Sequence, residues 1–158
     1  EGEREGEREG VTDEHWAVLA GNPWLKRYPL LCPGPNISAT AAEIAARYRG
    51  KFCWSLSFDP AFIAALIRQG FLPMAETTVH GPRPFILLPK LHLQRCVLSF
   101  SDLHVTRNVR RRAQRFEVSC DSAFDLVVEG CLQQHGENWL YPPIVEVLRR
   151  IFREGGVG

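Results

Sequence analysis

No apolar run in this 158-residue chain approaches the roughly 18 residues that a helix needs to cross a bilayer. No secretory leader is visible, because the first ten residues are only Gly, Glu and Arg. The expectation is a cytoplasmic protein without membrane contact. There is no CxxC pair and no Cys/His spacing of the kind that holds a metal. A phosphate-binding P-loop, a G-x-G-x-x-G turn and a Ser/His/Asp arrangement are also missing. Cysteine is sparse and odd in number: Cys32, Cys53, Cys96, Cys120 and Cys131. In apolar surroundings such thiols are expected to be buried and reduced.

Hydrophobic residues make up 45% and charged residues 23%, which is enough apolar material for a packed core. The net charge of +1 conceals an asymmetry. Residues 1–10 carry five Glu against two Arg, a net −3, leaving about +4 for the rest. That stretch lacks an apolar face and reads as a charged, solvated tail.

Apolar structure begins near Trp16–Leu25, and a loop rich in Pro and Gly follows over 26–40. Ala39–Tyr48 reads as a short helix. Lys51–Phe58 alternates as a strand does, with Phe52, Trp54, Leu56 and Phe58 on one face. A punctuated helix comes next. Asp59 can cap it, Pro60 suits its first position, Phe62, Ile63, Leu66 and Ile67 share a face, and Gly70 and Pro73 end it. Residues 76–84 read as loop, and Phe85–Leu88 and Arg95–Phe100 as strands. Thr106 caps a helix over Arg107–Gln114, with Val109 and Ala113 turned to the core. Phe116–Cys120 reads as a strand. Ser122 and Asp125 form a capping box for a helix to Gln133, with Phe124, Val127, Val128 and Cys131 inward. Residues 134–140 are loop. Pro142 starts a last helix, with Ile144, Val145, Leu148, Ile151 and Phe152 inward. The fold class is α+β.

Two features carry chemistry. Arg107, Arg110, Arg111, Arg112 and Arg115 fall within nine residues. At about 100° per residue, all but Arg112 share one half of the helix surface. Guanidinium forks suit phosphate oxygens, and an ordinary solvated helix face has the same composition. Trp139 sits in a polar loop just before a helix. It suits stacking on a base or walling an apolar pocket, and equally closing the core from above. Asp102 and His104 flank the basic helix and add no distinct chemistry. Glu129 is a candidate polar pocket residue, or an exposed one.

In order along the chain, these segments resemble the leucyl/phenylalanyl-tRNA–protein transferase family. Leu103-His104-Val105-Thr106-Arg107 is similar to its LH(V/I)SR signature, and a basic helix follows, as in that family. Phe116–Phe124 resembles (F/Y)xVTxDxAF, and Val128-Glu129-Gly130-Cys131 resembles (V/I)E(G/A)C. Glu137–Tyr141 stands at the place of GTWIT. Phe58-Asp59-Pro60 and Ile67–Pro73 resemble the upstream LSP and YRxGIFP elements. The resemblance implies transfer of Leu, Phe or Met from aminoacyl-tRNA to the N-terminal Arg or Lys of a protein, marking it for degradation. It implies the first part of an acetyltransferase-like (GNAT-like) domain over 101–158, preceded by a small N-terminal α/β domain and connecting strands over 11–100, and a reaction that needs no metal or cofactor. It also implies tRNA binding by Arg107, Arg110, Arg111 and Arg115. Trp139 would wall the adenosine and aminoacyl pocket, with Glu129 and Cys131 on the supporting helix.

There are departures. Phe71–Ala75 and Leu87–Lys90 replace aromatic-rich family motifs that help build the substrate site. The family's later SVEVW, GGxYG and ESMFS elements have no counterpart, and with them go the expected catalytic residues. The expectation is the front part of a transferase domain. The alternatives are a non-catalytic tRNA-binding module or inactive fragment, and an interaction domain without an RNA role.

Overall fold

The computed structural model describes residues 10–48, 50–92, 94 and 96–155. The charged stretch over 1–10 lies outside them except for Gly10, and so does Arg95. The elements run α1 (Asp13–Gly21), a 3₁₀ turn (Pro23–Arg27), α2 (Ile37–Arg47) and α3 (Pro60–Arg68). Strands β1 (Phe71–Leu72), β2 (Ala75–Thr77), β3 (Phe85–Leu87) and β4 (Lys90–Leu91) follow. A second 3₁₀ turn (Phe100–Asp102), α4 (Arg107–Ala113), α5 (Phe124–His135) and α6 (Pro142–Arg153) complete the chain. The mixture of helices and strands is the expected α+β class.

β1 pairs with β4, and β2 with β3, each antiparallel, with Phe71 opposite Leu91 and Glu76 opposite Ile86. The expected Lys51–Phe58 strand appears as isolated bridges, Phe52 to Lys90, Ser55 to Leu87 and, in parallel, Trp54 to Leu30. Pro89 explains the interruption. It has no N–H to offer, though its carbonyl accepts from Cys53 N at 2.9 Å. The segment lies between two cores. Phe52, Trp54 and Leu56 turn to one shared with Val18, Leu25, Ile86 and Leu88. Cys53 and Phe58 turn to the other. Alternation thus correctly separated the faces, except that Phe58 has crossed to the opposite one.

The larger core joins α2, α3, β1, β4 and α6. Ile37, Ala41 and Ile44 of α2 are buried at helical spacing, as are Phe62, Ile63 and Leu66 of α3. α3 starts as expected: the Asp59 carboxylate accepts from Phe62 N at 2.9 Å, Pro60 holds the first position, and Gly70 follows with φ +87°. Ile144, Val147 and Ile151 of α6 are buried against this core. Val147 takes an inward place not assigned to it, while Val145 and Leu148 are only partly buried. Residues 140–151 therefore share a core with residues 31–91.

α1 is tied to the 78–84 loop by a fully buried amide. Asn22 Nδ2 donates to the carbonyls of Val18 and His80, and its Oδ1 accepts from Val79 N at 2.8 Å. A Cβ on Gly21 would sit 2.2 Å from the His80 carbonyl oxygen, so no larger residue fits there. Arg83 from the same loop reaches Glu14 (Nη2 to Oε2, 3.0 Å) and the Leu56 carbonyl (2.9 Å). The hydrogen bond from Arg83 holds the Glu14 carboxyl below its usual range. His15 Nδ1 accepts from Thr12 N at 3.1 Å, and burial beside Trp54 pulls its pKa down.

Several expectations fail between residues 96 and 127. Neither 96–100 nor 116–120 forms a strand among the described residues. A strand needs a partner for its N–H and C=O groups, and among the described residues none pairs with either segment. Cys96 and Cys120 are accordingly exposed, not buried. The Ser122–Asp125 capping box is not formed. Ala123 is the N-cap, and Asp125 instead accepts from Arg149 Nε at 3.0 Å. Val109 and Ala113 are exposed, because the two-turn helix α4 buries no residue.

Candidate nucleic-acid and aminoacyl site

α4 begins where Thr106 Oγ1 accepts from Val109 N at 3.3 Å. Its basic residues crowd the last turn, where the carbonyl end of the helix favours positive charge. Arg107, Arg110, Arg111 and Arg115 are all exposed. Arg111 touches the Asn108 amide at 3.3 Å. Among the described residues none of the four is in an ion pair with a carboxylate. Their charge is therefore not internally neutralised, which separates this helix from an ordinary surface of paired charges.

The second feature is an apolar groove of about 360 Å3 between α5, α6 and the loop that carries Trp139. Phe124, Val128, Cys131, Trp139, Leu148 and Phe152 supply most of its wall. Its volume is in the range of small-ligand pockets. Phe124 stacks on Phe152, with ring centres 5.2 Å apart. Arg149 clamps this end of α5 by lying over the Phe124 ring and binding Asp125 and Glu146. Trp139 is half-buried, and the loop is anchored from below. Its carbonyl accepts from Ala75 N at 3.2 Å, and the Tyr141 ring meets Phe85 at 5.4 Å.

Two left-handed residues shape this region, Asp121 (φ 51°) on the groove wall and Asn138 (φ 40°) just before Trp139. Their side chains tolerate that conformation better than most, and residue type was the available signal for both turns. The contact of Arg149 with Asp125 carried no such signal, because the two are 24 residues apart in sequence. The structure brings Trp139 and Cys131 together in the groove. It does not bring Glu129 there: that side chain is exposed and accepts from Gln133 Nε2 at 3.1 Å. Val127 lines the groove from an exposed position and is not in the core.

No group of three or more His, Cys, Asp or Glu among the described residues can hold a metal ion. No helix among them is long and apolar enough to cross a membrane.

Residues 97–157, which supply both the arginine helix and the groove, match the family model of a transferase that acts with tRNA and protein. That family is described as leucyl/phenylalanyl-tRNA protein transferase, so the resemblance read from the sequence holds, and the chain is related to these proteins. The leucyl/phenylalanyl-tRNA–protein transferase of Hyphomonas neptunium is 32% identical over 106 residues, covering 64% of this chain and 40% of the relative. That of Gloeobacter violaceus is 28% identical over 102 residues, covering 63% and 50%. That of Paramagnetospirillum magneticum is 31% identical over 92 residues, covering 55% and 42%. The chain thus spans half or less of the length of these curated relatives. No solved structure matches it.

Proposed function

We propose that this chain provides the tRNA-binding and aminoacyl-binding part of an aminoacyl-tRNA–protein transferase. The observation that carries the reading is the coexistence, within one family-matched segment, of a cluster of unneutralised arginines and an apolar groove. The first suits a polyphosphate chain. The second suits a Leu, Phe or Met side chain, with Trp139 as a wall and stacking surface. In this reading Arg107, Arg110, Arg111 and Arg115 hold the tRNA backbone. The acceptor end delivers the ester to the groove, and the α-amine of an N-terminal Arg or Lys attacks the ester carbonyl. The new amide forms as the ester C–O bond breaks, and the amine proton passes to the departing ribose oxygen or to a base. Holding both substrates in contact supplies much of the rate. Glu129, exposed and bonded to Gln133, supports the helix surface. The acetyltransferase-like architecture, the mark for degradation and a cytoplasmic setting belong to the same proposal.

A second reading, tRNA binding without transfer, is favoured by one observation. Among the described residues of the groove wall, Asp121 and Cys131 alone carry a group that could serve as a base. Mixing the protein with Leu- or Phe-charged tRNA and a peptide starting with Arg separates the two. Label transfer to the peptide establishes the enzyme. Salt-sensitive binding without transfer establishes the binding module. Absence of binding by the folded protein overturns both.

A further inference from the structure

Nine of the twelve large apolar side chains most exposed among the described residues lie between positions 97 and 127. Phe100 is 95% exposed, Val118 92%, Val97 84% and Phe116 76%. Apolar exposure concentrated in one stretch of chain in this way points to an interaction site more than scattered single residues do. The same stretch holds the two segments whose strand pattern is not realised, 96–100 and 116–120. In the second, Phe116, Val118 and Cys120 alternate with Glu117 and Ser119, the pattern of a strand with one covered face. Its far end is continuous with the groove, since Ser119 and Asp121 are part of the groove wall. The 116–120 segment thus has the pattern of a strand, lacks a β partner among the described residues and leads into an apolar cleft.

We infer that 96–100 and 116–120 form a docking surface for a polypeptide segment equivalent to the part of its transferase relatives that this chain does not span. The inference rests on the proposed transferase reading. The exposed apolar surface coincides with the family-matched residues, and the relatives carry half or more of their length outside the match. Such a segment pairs a strand with 116–120, satisfies backbone N–H and C=O groups beyond the Phe116 N–H, which already donates to the Ala113 carbonyl, and covers Phe116 and Val118. It also roofs the groove beside Trp139. The aminoacyl pocket is then a composite of two segments.

The test co-expresses the tagged 158-residue chain with the portion of the Hyphomonas neptunium relative that lies outside its match. Recovery of that portion in soluble form is followed with and without the tagged chain, and hydrogen exchange is measured on the complex. The expected result is a one-to-one complex in which the amides of 116–120 exchange at least about tenfold more slowly. The double variant Phe116→Asp/Val118→Asp, at exposed positions, keeps the melting temperature and loses the complex. Failure of the tagged chain to solubilise the portion overturns the inference. So does a complex indifferent to the double variant, or unchanged exchange at 116–120. Self-association abolished by the same variant, without capture of the portion, also overturns it and assigns the face to a second copy. Binding of charged tRNA is measured separately. A complex that forms without tRNA binding sinks the functional reading and leaves the docking surface standing.

Discussion

The double variant Arg110→Ala/Arg111→Ala tests the arginine helix most directly. Arg107, Arg110 and Arg111 on α4 and Arg115 just beyond it, all exposed and without carboxylate partners among the described residues, are available to as many phosphates. Each phosphate neutralised adds about 0.7–0.9 to the negative slope of log affinity against log salt, so four contacts give a slope of about −3. Raising monovalent salt from about 50 to about 200 mM then weakens tRNA binding by about two orders of magnitude. Removing two contacts brings the slope to about −1.5 and the weakening to about tenfold. Fold stability is untouched, since α4 buries no residue. The assay is fluorescence anisotropy with labelled tRNA across that salt series, beside a melting curve for each protein. A slope unchanged in the double variant refutes phosphate binding by α4. So does binding that does not depend on salt.

Other predictions concern the scaffold and the thiols. Ile144→Ala removes a fully buried side chain from the α3–α6 contact and costs about 2–5 kcal/mol, read as a lower denaturant midpoint. Asp59→Ala removes the α3 cap and costs about 1 kcal/mol in the same measurement. Acid destabilises the α1 region, because the folded pKa values of both Glu14 and His15 lie below their unfolded values. The unfolded chain then binds more protons between each pair of values, so stability falls as pH drops through the His range and again through the carboxylate range. His15→Gln removes the first of these phases, as a melting temperature series against pH checks. Burial pushes the Cys53 thiol up to about 12, whereas Cys96 and Cys120 are exposed. Iodoacetamide near neutral pH therefore labels Cys96 and Cys120 in the folded protein and leaves Cys53 unmodified, as peptide mass mapping checks.

The sequence by itself determined those parts whose physics is local. Asp59, Pro60 and Gly70 delimit α3 through contacts within a few residues, and Thr106 starts α4 in the same way. The ordered run of short motifs from Leu103 to Trp139 was also legible, and it carried the family relationship. Partner-dependent features were not. Phe116–Cys120 has the composition of a strand, but a strand exists only where another backbone accepts its hydrogen bonds. Ser122 and Asp125 had the spacing of a capping box, yet Arg149, 24 residues beyond Asp125, took the carboxylate. Glu129 matched a motif, and the helix turned it to solvent while Val128 and Cys131 met the groove. Tertiary structure alone decided that Trp139 stands over a cleft, because its loop is held from below by Ala75 and Phe85, residues more than fifty positions earlier in the chain.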